Sequence, residues 1–210
     1  MLLLLLAACT PEPTDTASSV PPYEFTPMTG LGEPPDANTD RLCAESADPD
    51  AAADTTFIDC ATESGLLAAG VPEATDQLVI LTYNIERGHS LDGILDWLGA
   101  QTPAPDVILL SEADRGCSRT DDRHTTWEIA AALSMDFVYG VEFMEVSGEG
   151  EAVTEVCEHG NAVLSRFPMG NVGAYRHADN VSWYSPPEAR GESWSTRLGG
   201  RIAVTADIAV

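Results

Sequence analysis

The sequence predicts an α+β domain over residues 77–210, and three observations support this prediction. Two apolar runs of strand length, Leu78–Ile85 and Val107–Leu110, suit strands that are buried on both faces. A segment with helical periodicity, Leu91–Ala100, separates the two runs. Later segments alternate apolar and polar residues, as half-buried strands do. The chain therefore combines a strand–helix–strand unit with additional strands downstream.

The segment between the two runs is predicted to be an amphipathic helix, with Ser90 as a suitable N-cap. Its apolar residues recur at i, i+3, i+4 and i+7, and they are Leu91, Ile94, Leu95 and Leu98. A strand, a helix and a second strand form a crossover unit that makes the two strands parallel. We therefore expect Asn84 and Glu112, which lie near the ends of these strands, side by side at one edge of a sheet.

A second helix and further strands are predicted downstream, one of them over Asn171–His177. Thr125 and Glu128 form a capping-box pattern, which indicates that a helix starts there. His159–Pro168 is predicted to be a short buried strand that ends in a turn. Alternation in the strand from 137 to 146 places four residues on one face: Phe137, Tyr139, Val141 and Phe143. In the final strand the corresponding face holds Ile202, Val204, Ala206 and Ile208.

Glu112 follows the second apolar run almost directly, at the end of a buried strand. A carboxylate in this position is held rigidly where the core opens to solvent. Proteins commonly hold Mg²⁺ with one or two carboxylates while the ion keeps several waters. The residue is thus a candidate metal ligand, and the plain alternative is a solvated glutamate at a strand end.

Three segments in this order resemble the endonuclease/exonuclease/phosphatase superfamily of metal-dependent phosphoesterases. Thr82-Tyr83-Asn84-Ile85 is similar to the first motif of that family. Asp106 to Arg115 is similar to its metal-ligand motif, and Gly160 to Pro168 to its Gly-Asn-Ala-Ile-Leu-Ser-Arg-x-Pro segment. The resemblance covers roughly Gln77 to Val210. It implies the N-terminal half of a four-layer α/β/β/α sandwich.

The resemblance also implies a metal site. Glu112 is expected to bind Mg²⁺, with Mn²⁺ as an alternative, and Asn84 to help position metal and phosphate. An asparagine suits this role because its amide donates to a phosphoryl oxygen without adding negative charge. In such a family a water attacks phosphorus in line with the leaving group.

Three further residues are candidates for contact with the substrate phosphate: Arg115, His159 and Asn161. Arg115 is equally well explained as an ion-pair partner of Asp114. A histidine beside a cleft can donate to a leaving group near neutral pH, but His159 precedes the best-matched part of its motif.

The later motifs of the family are Thr-His-Leu, Gly-Asp-x-Asn and Ser-Asp-His, and none of them occurs in these 210 residues. They supply the other carboxylates, the aspartate that activates water and the histidine that stabilises the transition state. We therefore expect a C-terminally incomplete domain that is inactive on its own. The predicted function is Mg²⁺-dependent hydrolysis of phosphoester bonds, by a phosphodiesterase or phosphatase. The alternative is a non-catalytic surface lipoprotein that uses the same fold for binding.

The N-terminal 76 residues are predicted to form three parts. Residues 1–9 resemble a lipoprotein signal peptide, and Leu6-Ala7-Ala8-Cys9 resembles a bacterial lipobox in which Cys9 is acylated. Residues 10–40 are rich in proline and acidic residues, as expected for a disordered linker. Residues 41–76 are predicted to be a cysteine-containing extension. This arrangement predicts a bacterial cell-envelope protein with a lipid anchor in the membrane, the outer membrane in a Gram-negative host, or else a secreted protein.

Four cysteines remain if Cys9 is acylated, and an even number in an exported protein suggests two disulfides. Four cysteines allow three pairings. We favour Cys43–Cys60 and Cys117–Cys157, because Cys117 follows the Glu112 loop and Cys157 precedes the neighbouring Gly160 strand. A metal site is less favoured, since no Cys-x-x-Cys spacing occurs.

The charge of the chain restricts its partners. There are 34 acidic residues against 10 basic ones, and the formal net charge is −24. From Gln77 onward 20 acidic residues stand against nine arginines. A protein that binds nucleic acid tightly and non-specifically needs a basic face, so that partner is disfavoured. The sequence does not choose between a lipid headgroup and a sugar phosphate as the substrate. A local basic cluster could still contact a small phosphate group: Arg115, Arg119, Arg123 and His124.

Overall fold

A computed structural model describes residues 24–31, 43, 62–73, 76–147, 155–176 and 196–210. Within these ranges the chain forms eight strands and two α-helices. The strands are β1 (Thr62–Gly65), β2 (Ile80–Arg87), β3 (Val107–Arg115), β4 (Asp136–Ser147), β5 (Glu155–Ser165), β6 (Met169–Arg176), β7 (Thr196–Gly199) and β8 (Ile202–Ile208). The helices are α1 (Leu91–Gly99) and α2 (Thr125–Leu133).

Six of these strands form one large sheet in the order β1-β4-β5-β3-β2, and β7 pairs with β4 on the same edge as β1. Strands β2 and β3 are parallel, as the predicted crossover through α1 requires. The other strand pairs are antiparallel, including the separate pair of β6 and β8. Parallel and antiparallel strands therefore share one sheet, and the predicted α+β class is confirmed.

The large sheet separates two apolar cores. Both helices pack on one face, with residues that include Ile94, Leu98, Ile129, Phe137 and Leu164. The small sheet packs on the other face, with residues that include Val138, Val163, Met169, Val204 and Ile208. The described ranges thus form three layers: helices, large sheet and small sheet. The outer helical layer of the four-layer sandwich stays a prediction, because both described helices pack on the large sheet.

Both helices start close to their predicted positions, but neither start is capped by a hydrogen bond from the predicted side chain. Ser90 is the N-cap residue of α1, yet its side chain makes no capping hydrogen bond. In α2 the N-cap is His124, one residue before the predicted Thr125, and its Nδ1 accepts from the Trp127 N–H at 3.4 Å. The Thr125 hydroxyl instead donates to the Asp114 carbonyl at 2.8 Å, which ties the start of α2 to β3. Within the described residues, no helix is both long and apolar enough to cross a bilayer.

Bulges interrupt β2, β3 and β4 at the same end of the large sheet. Before the β4 bulge Val141 pairs with Gly160, and after it Phe143 pairs with His159. Since successive residues of β5 face opposite sides of the sheet, Phe143 lies on the face opposite to Val141. The common face predicted for these four alternating residues is therefore wrong for Phe143. Met144 takes its place in the core under the helices.

Gly160 has no room for a side chain, which explains the glycine of the Gly-Asn-Ala segment. A Cβ at this position would lie 2.1 Å from the Gly140 carbonyl oxygen and 2.8 Å from the Tyr139 ring. We expect Gly160→Ala to lower the free energy of unfolding by roughly 1–3 kcal/mol, as overpacking of a core does. Urea denaturation with the disulfide intact measures this loss.

Gly173→Ala is the matched control for that substitution. Gly173 also lies in a strand, but its added Cβ would meet only the Thr205 hydroxyl at 3.7 Å, an ordinary contact. Equal stability losses for the two variants would contradict the steric explanation.

Residues 24–31 pack on the small sheet, although they belong to the segment predicted as a disordered linker. Met28 is buried in the second core, and its N–H donates to the Met169 carbonyl at 2.9 Å. The Asn171 side chain accepts from the Thr26 N–H and donates to the Glu24 carbonyl. The free edge of β6 supplies these backbone partners, which the proline-rich composition does not reveal. The rest of the predicted linker lies outside the described residues.

The Cys117–Cys157 disulfide is present and confirms the prediction. It joins the chain just after β3 to β5, with a Cα–Cα distance of 4.9 Å. Cys43 is also disulfide-bonded. Its predicted partner Cys60 and the predicted acylation site Cys9 both lie outside the described residues, so these two assignments stay predictions.

Candidate functional site

The bulged ends of β2 and β3 bring three predicted site residues into one row. Asn84 on β2 pairs with Ser111 on β3, the residue before Glu112. The bulge in β3 places Ser111 and Glu112 together opposite Asn161 of β5. Adjacent strands of a sheet lie about 4.8 Å apart, so the row spans three neighbouring strands. This register places Asn84 and Glu112 on neighbouring strands close to each other, as predicted.

Asn84 is exposed, and its local turn orients its side chain. The side-chain oxygen accepts from the Glu86 N–H at 2.9 Å, two residues further on. This Asx-type contact leaves the NH₂ group as a donor that faces outward. Glu86 and Arg87 have φ values of 48° and 67°, in the left-handed region that non-glycine residues seldom adopt. The chain turns sharply at this point because two consecutive residues adopt that conformation.

Glu112 is partly exposed and also has a left-handed backbone, with φ of 56°. For a residue with a Cβ this conformation costs roughly 1–2 kcal/mol. Bulges and strained residues cluster at functional sites, where they redirect side chains. Here the bulge changes the direction of the Glu112 side chain relative to the regular alternation of β3.

A buried polar group, which we name the Asp114 cluster, lies beside this row and consists of Asp114, Arg119, Glu145 and His159. Arg119 binds the Asp114 carboxylate with two donors, at 2.6 and 2.9 Å, and also contacts Glu145. The Nδ1–H of His159 donates to the same carboxylate at 2.7 Å, since a carboxylate only accepts. Phe143 stacks on the His159 ring at 4.5 Å between centroids.

His159 is thus a buried partner of Asp114 rather than an exposed group at the cleft. Only 3% of the His159 side chain is exposed, and none of the Asp114 side chain. The cluster ties the ends of β3, β4 and β5 together directly beside Glu112. Its contacts indicate a positioning role for His159 in the structure as described.

Arg115 lies on the opposite face of the sheet, under the helices, and has no exposed side-chain surface. Its guanidinium is 2.7 Å from Glu63 of β1 and 3.6 Å from Glu158 of β5. The ion-pair alternative for Arg115 is therefore favoured over phosphate contact, but with different partners from the predicted Asp114. This pairing also fixes β1, from the predicted extension, against the end of β3.

His124 belongs to the same buried group. Burial lowers the pKa of His124, and this outweighs its hydrogen bond to Glu63, which acts in the opposite direction. Because Nδ1 accepts from the Trp127 N–H, the proton lies on Nε2, which donates to Glu63 at 2.7 Å. The ring is consequently neutral near pH 7.

The predicted basic cluster is therefore not a phosphate-binding surface. Arg123 bridges the helices by binding Glu128 at 2.5 Å and Asp92 at 2.9 Å, and the hydrogen bond that it donates to Glu128 raises the Arg123 pKa. Arg119 is held in the Asp114 cluster, and Arg115 and His124 are buried. These four residues are close in sequence, which is why they were predicted to form one cluster. Strand alternation and the start of α2 place them on different faces of the fold.

The residues of the row fit a hard divalent cation. Glu112 supplies one carboxylate, and Mg²⁺ needs only one or two carboxylates beside its waters. The Asn84 side-chain oxygen keeps a second lone pair for the ion beside its hydrogen bond from the Glu86 N–H. Over the part of the chain that the structure describes, no group of three or more His, Cys, Asp and Glu side chains is arranged to hold a metal. Glu112 with Asn84 stays the predicted metal-binding pair, with Mg²⁺ or Mn²⁺ as the ion.

Sequence reasoning missed the contacts of Asp114, Arg119 and Glu145. A signal for Asp114 was present, because a disulfide between Cys117 and Cys157 on antiparallel strands implies that Asp114 pairs with a residue close to His159. The contacts of Arg119 and Glu145 depend on which side chains meet across neighbouring strands, and no local pattern encodes that.

The chain matches no family sequence model. No curated protein matches it either. Among solved structures, it is similar to the crystal structure of an endonuclease/exonuclease/phosphatase from Beutenbergia cavernae DSM 12333, with 21% sequence identity and a TM-score of 0.40. The similarity covers 63% of this chain and 34% of that one, so the chain spans about a third of the length of the structure that it matches.

Proposed function

We propose that this chain carries the metal-binding half of a Mg²⁺-dependent phosphoesterase site, on a lipoprotein anchored at the cell surface. The observation that carries the proposal is the row of Asn84, Glu112 and Asn161 on three neighbouring strands, beside the bulges of β2 and β3. The three motifs that resemble the endonuclease/exonuclease/phosphatase superfamily supply these residues, one from each motif.

The residues of the row have complementary roles in this proposal. Glu112 provides the ligand charge, and the Asn84 amide donates to a phosphoryl oxygen without adding negative charge. Asn161 lies on the other side of Glu112 and offers a second amide of the same kind. The Asp114 cluster holds the strand ends beneath them. A bound Mg²⁺ ion neutralises negative charge on the phosphoryl and leaving oxygens.

The proposed substrate is a small phosphodiester or phosphomonoester. The strong negative charge of the chain opposes tight, non-specific binding of nucleic acid. Residues 1–210 contain none of the Thr-His-Leu, Gly-Asp-x-Asn and Ser-Asp-His motifs, which activate water in the family that the chain resembles. We therefore expect no turnover from residues 1–210 alone, and turnover from a chain in which those motifs follow Val210.

Hydrolysis of bis-p-nitrophenyl phosphate and p-nitrophenyl phosphate, with Mg²⁺ and with EDTA, tests this proposal. The two chains to compare are residues 10–210 and a longer chain that carries the three motifs. We expect Mg²⁺-dependent release of p-nitrophenol from the longer chain only. Metal binding without turnover in the longer chain would favour the non-catalytic binding protein instead.

The membrane anchor is a separate part of the proposal. It rests on Leu6-Ala7-Ala8-Cys9 and on the proline-rich composition of the residues that follow. Two acyl chains at Cys9 suffice for stable anchoring. The proposed location is the bacterial cell envelope.

A further inference from the structure

Arg87 is an arginine at the metal-site end of the sheet whose main partner is only loosely held. It is the last residue of β2 and pairs with Ala113, the residue after Glu112. Its Nη2 atom is 4.0 Å from a Glu145 carboxylate oxygen, beyond hydrogen-bond distance. Glu145 has a much closer partner in Arg119. The contact between Arg87 and Glu145 is therefore weak and easily exchanged.

The path of the Arg87 side chain is informative. Strands β3 and β5 lie between β2, which carries Arg87, and β4, which carries Glu145. To approach Glu145, the side chain must extend past both intervening strands. Glu112 lies near the end of β3, and Asn161 lies opposite it within β5. The guanidinium thus lies over the same edge of the sheet as the proposed metal ligand.

The Arg87 guanidinium has a hydrogen-bond donor without a partner among the described residues. Its Nε is buried and, among the described residues, has no hydrogen-bond partner. A buried donor without a partner is uncommon in folded proteins and calls for a ligand or water. The side chain as a whole is 34% exposed, so an anion from solvent can reach its two terminal nitrogens. These nitrogens form a fork that matches two oxygens of a phosphate.

The backbone at Arg87 supports the same view. Arg87 has φ of 67° and lies between Glu86 and Gly88, with φ of 48° and 87°. Three consecutive left-handed residues direct the end of β2 away from a regular strand path. Strained backbone of this kind persists where the surrounding structure fixes a functional group.

We propose that Arg87 binds the phosphoryl group of the substrate, beside the metal held at Glu112. This inference rests on the proposed function for its substrate class, but the anion site itself can be tested without turnover. Arg87 is the cation that the predicted basic cluster fails to provide. Its positive charge is not neutralised by a close ion pair, whereas Arg119 is engaged by Asp114 and Glu145.

The test is the binding of inorganic phosphate to the full chain, with and without Mg²⁺. Binding is measured from the ³¹P NMR signal of the phosphate. We expect Arg87→Gln to weaken phosphate binding by about ten- to a hundredfold, the loss typical of a hydrogen bond to a charged group. Arg87→Lys keeps the charge but loses the fork, so its affinity should lie between those of the wild type and Arg87→Gln.

Arg166→Gln is the matched control. Arg166 is 44% exposed and loosely paired with Asp106 at 3.4 Å, but it lies at the opposite end of β5. Its substitution should leave phosphate affinity unchanged. An unaltered thermal melt of each variant shows that the fold persists, and Arg87→Lys decides the question if Arg87→Gln melts early.

Mn²⁺ binding, measured by electron paramagnetic resonance, separates this inference from the proposed function. Glu112→Gln should abolish Mn²⁺ binding, whereas Arg87→Gln should leave it intact. Phosphate affinity that is unchanged in Arg87→Gln, or absent from the wild type, overturns the role of Arg87 alone. Mn²⁺ affinity that is unchanged in Glu112→Gln overturns the metal site. In that case the phosphate titration without metal still tests whether Arg87 binds phosphate.

Discussion

Replacing Glu112 with glutamine is expected to abolish Mg²⁺-dependent phosphoester hydrolysis in a chain that carries the complete motif set, while the fold survives. The substitution removes the ligand charge and keeps the side-chain volume. Charge stabilisation by a bound metal is worth several kcal/mol, so the rate should fall by roughly three orders of magnitude or more. Initial rates with bis-p-nitrophenyl phosphate over a Mg²⁺ titration measure the effect.

Glu86→Gln is the control for that loss. Glu86 is an exposed glutamate at the same end of the sheet, and it also has a left-handed backbone. Its substitution removes an equal charge without touching the proposed ligand, so the rate should change little. Asn84→Ala should lower the rate by roughly two to three orders of magnitude, the usual loss for one oriented donor. Near-normal turnover by Glu112→Gln would refute the metal assignment.

Replacing Arg115 with methionine is expected to cause the largest loss of stability. The side chain has no exposed surface, and its removal leaves the Glu63 and Glu158 carboxylates buried without their cation. Breaking a buried ion pair in this way typically costs about 3–5 kcal/mol. The free energy of unfolding, from urea denaturation near pH 7 with the disulfide intact, gives the value.

Arg123→Met provides the comparison, because Arg123 also contacts two carboxylates but is 27% exposed. Solvent screens such pairs, and the expected loss is about 1 kcal/mol or less. Adding Glu63→Gln and Glu158→Gln to Arg115→Met should recover part of the stability, because no buried charge is then left unpaired. Equal losses for Arg115→Met and Arg123→Met would show that burial does not decide the energetics of this pair.

Much of the fold could be predicted because its signals are local. The two apolar runs and the periodicity of α1 are readable within short windows, and the crossover rule then makes β2 and β3 parallel. That rule also places Asn84 near Glu112. The Cys117–Cys157 pairing was predictable because the two residues flank neighbouring strands.

Several features could not be predicted because they depend on register or on distant residues. The β4 bulge turns Phe143 to the other face, and no alternation pattern shows where one extra residue will be inserted. The partner of Arg115 is Glu63, which lies in the edge strand β1. The acidic, alanine-rich sequence before β1 gives no signal that predicts this strand. The composition of residues 24–31 predicts a linker, but their backbone forms hydrogen bonds with β6.

The sequence by itself determined the class of the domain, the strand–helix–strand unit and the edge of the sheet at which Asn84 and Glu112 lie. Hydrophobic periodicity and chain connectivity are sufficient for these features. Only the tertiary structure decided which charged side chains face solvent and which neutralise each other inside. It buried Arg115 and His124, joined His159 to Asp114, and left Arg87 loosely paired with Glu145. The physical reason is that an ion pair requires two groups to meet after folding, and the cost of desolvating a charge depends on everything that surrounds it.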